Sequence, residues 1–205
     1  MIVKICGLKE ARHAEAAAKL GANLLGFVFA ESPRKTTPQQ VREIIRQLPL
    51  TARKVGVFVD EDSQQVNDIV SFCGLDMAQL HGRETPDDCR KIFCPVIKGF
   101  RVSDAKSLEA LEPYRNIVEL FLLDTYVPGL AGGSGQTFDW SLARQAAKYG
   151  MILLAGGLNP ENVGSAIKTA MPSGVDVSSG VETDGRKDLA KIEAFIKQVR
   201  GQQHV

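Results

Sequence analysis

The sequence lacks the features that would export it, seat it in a membrane or hold it on a nucleic acid. Its 205 residues contain four cysteines, Cys6, Cys73, Cys89 and Cys94, with no CxxC pair and no Cys/His zinc spacing. That argues against a disulfide framework and a metal site, and for a reduced, cytoplasmic protein. No leader precedes the strand-like run that begins at residue 2, so no export signal is expected. The longest uncharged apolar stretch, MILLAGGL, is far short of a membrane span. The formal net charge is +1, with no basic cluster or arm. No long-range field therefore favours nucleic acid or a membrane surface, and any bound anion must be held by local geometry. No low-complexity linker interrupts the chain, and one domain is expected over residues 1–205.

What is present is a regular alternation. Short runs rich in Val, Ile, Leu and Phe fall at 2–6, 23–29, 53–59, 76–81, 95–100, 119–124, 151–155 and 174–178. Their near-continuous hydrophobicity is that of strands covered on both faces, as in a parallel sheet. The segments between have helical period. Val41, Ile44, Ile45 and Leu48, then Val66, Ile69, Val70 and Cys73, then Ile192, Phe195, Ile196 and Val199 each repeat i, i+3, i+4, i+7. Cys73 thereby gains a simple packing role. Thr37-Pro38 and Asn159-Pro160 each place a capping side chain before a proline suited to the first helical position. Eight β-then-α units predict an α/β fold of the (β/α)₈ TIM barrel type, a closed parallel sheet of eight strands. The competing architecture, an open doubly wound sheet, usually has fewer strands.

Barrels of this kind place their chemistry at the C-terminal ends of the strands. Cys6 is predicted to end strand one, His81 strand four and Asp124 strand six. Asp176 lies near the end of strand eight, and Arg34 in the loop after strand two. Three Gly-rich loops follow strands six, seven and eight: GLAGGSG (129–135, with Gly132, Gly133 and Ser134), AGGLNPENV (155–163, with Gly156 and Gly157) and VSSGVE (177–182, with Ser178, Ser179 and Gly180). Glycines let backbone amides approach an anion and serines add donors, so three such loops in consecutive units point to phosphate. Arg34 could fork a carboxylate, or serve as a solvated loop charge like Lys35. His81 is open between a proton carrier, a substrate contact and a structural group. Trp140 is expected to start the sixth helix and pack on the barrel.

KICGL, GFVFAESPRKTTP, KVGVFV, AQLHG, LLDT with GGSGQTFDW, LAGGLNPENV and DVSSGVE occur in this order from residue 4 to 182. On these motifs the chain resembles the phosphoribosylanthranilate isomerase family of tryptophan biosynthesis. The resemblance implies a cofactor-free Amadori rearrangement of N-(5-phosphoribosyl)anthranilate to 1-(2-carboxyphenylamino)-1-deoxyribulose 5-phosphate. It implies Asp124 as general acid, Cys6 as general base and Arg34 as partner of the anthranilate carboxylate. Lys4 should share a face with Cys6 and is a candidate to stabilise its thiolate. Asp176 is placed either on a ribose hydroxyl or in holding the mouth. The expected partner is a small phosphosugar, with no nucleic acid and no membrane, and the protein is a monomer or homodimer. The alternatives are another phosphate-binding barrel enzyme such as indole-glycerol-phosphate synthase, with Lys98 as its only well-placed lysine, and a non-catalytic phosphosugar-binding protein.

Overall fold

The computed structural model describes residues 1–48, 51–124 and 140–202. Eight parallel strands, β1 (Ile2–Ile5), β2 (Leu24–Val28), β3 (Arg53–Phe58), β4 (Met77–Leu80), β5 (Val96–Arg101), β6 (Leu120–Asp124), β7 (Ile152–Ala155) and β8 (Gly174–Val177), pair in chain order. The sheet closes where β8 pairs with β1, Lys4 lying opposite Asp176. Each strand lies within two residues of the run that predicts it, because hydrophobicity on both faces is a strong signal in a sheet that is buried on both sides.

The helices α1 (Ala11–Lys19), α2 (Pro38–Ile45), α3 (Ser63–Cys73), α4 (Pro86–Arg90), α5 (Ser141–Ala146), α6 (Val163–Ala170) and α7 (Leu189–Gly201) surround the barrel. The fifth connection is a 3₁₀ segment, Lys106–Tyr114, whose Pro113 has no N–H to continue an α-helical ladder. Thr37 caps α2 with a full capping box, its side chain accepting from the Gln40 backbone and the Gln40 side chain accepting in return. Asn159 instead caps a turn. Its Oδ1 accepts from the N–H groups of Glu161 and Asn162, and the helix itself begins only at Val163. Cys73 is buried on α3, where burial pushes its thiol up to about 11. Trp140 stands at the start of α5, half-buried against the outer core. Among the described residues no helix is long and apolar enough to cross a membrane.

Two apolar layers hold this arrangement. The larger fills the space between sheet and helices. The smaller fills the barrel interior with Leu24, Val55, Met77, Ile97, Leu120, Leu122, Leu153 and Ala155. Side chains alternate between these layers along each strand, which decides what reaches the mouth. Ile97 points in, and Lys98 therefore points out. Lys98 is buried beneath the loop after β4, paired with Glu84 at 3.0 Å and donating to the carbonyls of Leu80, Gly82 and Gly99. The lysine that the synthase alternative needs is thus spent on structure, outside the barrel interior.

Candidate active site

Cys6 follows the last residue of β1. Its N–H donates to Val177 O at 2.8 Å, and its carbonyl accepts from Ser178 Oγ at 3.2 Å. Both backbone groups are thus tied to β8, and the thiol projects with Val28 and Val57 at the upper end of the interior. Gly7 has φ +77, and a Cβ there would lie 2.5 Å from Arg34 Cδ. Only glycine suits that position: the backbone is left-handed and the Arg34 stem runs over it. The glycine behind the thiol therefore brings an arginine alongside it.

Beneath the thiol, Lys4 is fully buried in the barrel interior. Its Nζ donates to Asp176 Oδ1 at 2.9 Å and also lies against the Cys6 thiol. A Cβ on Gly26 would sit 2.8 Å from Cys6 Sγ and 3.1 Å from Lys4 Nζ, so both groups meet over the bare backbone of β2. Burial opposes the charged form of Lys4, but Asp176 and Cys6 outweigh it and hold the ammonium above the ordinary lysine range.

Asp124 ends β6, as predicted, and its Oδ2 lies 3.6 Å from His81 Nε2. His81 follows β4, and its Nδ1 is 3.0 Å from Gln79 Nε2. The acid candidate and the imidazole thus share one side of the mouth. In the closed sheet only β7 and β8 lie between β6 and β1, so the loops after those two strands sit between Asp124 and Cys6.

Those loops are joined at one point. A Cβ on Gly180 would lie 1.8 Å from Leu158 O, so the loop after β8 rests directly on the loop after β7. Gly156 is half-buried, and Gly157 and Ser179 are exposed beside this contact. Ser178 is turned to another task, tying β8 to β1 through the Cys6 carbonyl. Gly132, Gly133 and Ser134 lie outside the described residues. Among the described residues no cluster of His, Cys, Asp and Glu could hold a metal ion.

An isomerase family is described by the pattern that this chain matches: the family pattern for N-(5′-phosphoribosyl)anthranilate (PRA) isomerase fits residues 3–198. The chain belongs to that family. A curated relative, N-(5′-phosphoribosyl)anthranilate isomerase of Moorella thermoacetica, is 53% identical over 199 residues, 97% of this chain and 89% of the relative. The crystal structure of phosphoribosyl anthranilate isomerase from Thermotoga maritima is 43% identical, with a TM-score of 0.90 over 98% of this chain and 100% of that one. Another isomerase structure, solved with reduced 1-(o-carboxyphenylamino)-1-deoxyribulose 5-phosphate, is 41% identical, with a TM-score of 0.86 over the same shares. The closed barrel and the family are therefore those that the motifs suggest.

Within this isomerase barrel, sequence reasoning passes over the segment after Gly180. Residues 182–187 form a small hairpin, β9 (Glu182–Thr183) and β10 (Arg186–Lys187). Asp184 and Gly185 at its turn both have positive φ, the mark of a tight two-residue connection. The signal is the Asp-Gly pair itself, in a stretch with too little hydrophobicity to read as strand. Arg34 forks onto this hairpin: Nε donates to Glu182 Oε1 at 2.7 Å and Nη2 to Glu182 Oε2 at 2.6 Å. The hydrogen bonds it donates to Glu182 hold the guanidinium well charged. Lys35, by contrast, pairs with Glu31 on the exposed loop.

Proposed function

We propose that this chain isomerises N-(5′-phosphoribosyl)anthranilate with Asp124 as general acid and Cys6 as general base. The observation that carries the assignment is the convergence of the Lys4 ammonium and the Cys6 thiol over the bare backbone of Gly26, in a mouth whose other side holds Asp124. A cation against sulfur stabilises negative charge there, which a cysteine needs in order to act as a base.

The steps balance without an external electron carrier. Asp124 delivers a proton to the furanose ring oxygen while the anilino nitrogen pushes its lone pair toward C1′, and the C1′–O bond breaks. The resulting iminium acidifies the C2′ proton, which the Cys6 thiolate removes. The C–H electrons form the C1′=C2′ bond of an enolamine and neutralise the iminium. Protonation at C1′ and loss of the hydroxyl proton at C2′ give the ketone. C2′ is oxidised and C1′ reduced within one molecule. Gly156, Gly157, Ser179 and Gly180 would take the phosphate, together with the loop holding Gly132, Gly133 and Ser134. Arg34 would take the ring carboxylate. His81, beside Asp124, would hold that carboxyl in place. Asp176 is assigned to Lys4 rather than to a ribose hydroxyl.

Selective alkylation tests the base. At pH 8, burial holds Cys73 and Cys89 at about 11 and pushes the half-buried Cys94 up as well, so all three are poor nucleophiles. Iodoacetamide is expected to label Cys6 first, to end turnover in step with that labelling, and to be slowed by the reduced product analogue. Full activity after stoichiometric labelling of Cys6 would remove it as the base.

A further inference from the structure

Arg34 does not stand alone in the mouth. One edge of its guanidinium, Nε and Nη2, is committed to Glu182, whose side chain is only 7% exposed. Glu182 is itself clamped. Lys187, directly opposite it across the hairpin, donates from Nζ to Glu182 Oε1 at 2.6 Å and to Ser178 O at 2.9 Å. An opposite-charge pair in register across two strands fixes both side chains. Lys191 adds a bond from Nζ to the Glu182 carbonyl. Burial disfavours the charged form of Glu182, yet Arg34 and Lys187 outweigh it and hold the carboxyl below the usual range.

A guanidinium has two edges at which it can fork a carboxylate. The Glu182 fork fixes its plane through Nε and Nη2, and Nη1 is not part of that fork. We propose that Glu182, clamped by Lys187, is a positioning residue that aims Arg34 and so sets the preference for a substrate bearing a ring carboxylate. The inference rests on the assignment of Arg34 to that carboxylate. Without the fork the long arginine side chain would have to be ordered by each ligand, at a cost in affinity.

The test compares two ligands: reduced 1-(o-carboxyphenylamino)-1-deoxyribulose 5-phosphate, and the same compound without the ring carboxylate. In the parent the first should bind more tightly. Arg34→Ala should abolish that preference, with a matching rise in KM. Glu182→Gln should cut the preference about tenfold, the range expected for a charged hydrogen-bond pair. Affinity for the decarboxylated ligand should be little changed. In the double variant Glu182→Gln should add nothing to Arg34→Ala. A preference retained in Glu182→Gln but lost in Arg34→Ala overturns the role of Glu182 and leaves Arg34 in place. A preference retained in Arg34→Ala overturns the carboxylate assignment and this inference with it. Should Glu182→Gln not fold, the parent decides by nuclear magnetic resonance. The Arg34 Nε–H should exchange slowly both free and with the carboxylate ligand bound. Exchange as fast as that of an exposed arginine in either state overturns the inference.

Discussion

Asp124→Asn is expected to lower kcat by roughly 10²–10⁴-fold, the usual contribution of a positioned acid. The amide keeps the size of the carboxyl and its place 3.6 Å from His81, but has no acidic proton for the ring oxygen. Binding of the reduced product analogue should hold within a few-fold, because the loops proposed for the phosphate, after β7 and β8, and Arg34 lie on other elements. The kinetic pattern is therefore a fall in kcat with little change in KM, which marks an interaction made only in the transition state. Rates near those of the parent would take the acid role from Asp124 and leave His81 as the next candidate.

Lys4→Met is expected to have the largest effect on stability. It leaves Asp176 9% exposed in the barrel interior without its partner at 2.9 Å. Breaking a buried ion pair from one side costs about 3–5 kcal/mol, and for a chain of this size that lowers Tm by about 10 °C. Turnover should fall as well, because the cation against Cys6 is gone. The two consequences separate in Lys4→Met/Asp176→Leu. Replacing both charges by apolar groups should restore most of the melting temperature and none of the rate. Recovery of both in the double variant would reduce the pair to a structural one and leave the thiolate to Arg34, which runs over Gly7 beside it.

The barrel is legible in the sequence because its strands are buried on both faces and mostly apolar, and a run such as LFLLD has no other stable place. The mouth is legible for the same reason, since residues that end strands face it: Asp124, His81 and Cys6 all lie where the strand ends put them. What the runs conceal is which of two faces a residue takes. Lys98 sits at a strand end in the sequence, but its neighbour Ile97 occupies the interior, and period two sends the lysine outward to Glu84. The partner of Arg34, and the lysine that clamps that partner, are hidden for a different reason. Glu182 and Lys187 belong to a polar hairpin of two residues a side, joined only by an Asp-Gly turn, and charge pairs across such a turn leave no periodic trace. Asn159 shows the limit of capping rules: its side chain caps as expected, but the turn it closes precedes the helix.

The decisive measurement is consumption of freshly generated N-(5′-phosphoribosyl)anthranilate, followed by loss of its fluorescence, in the parent and in Cys6→Ala. The parent should turn it over to the aminodeoxyribulose phosphate, and Cys6→Ala should fall by roughly 10²–10⁴-fold while still binding the reduced product analogue. Equal turnover by the two proteins, or none by a folded parent, would contradict a thiolate base at the end of β1.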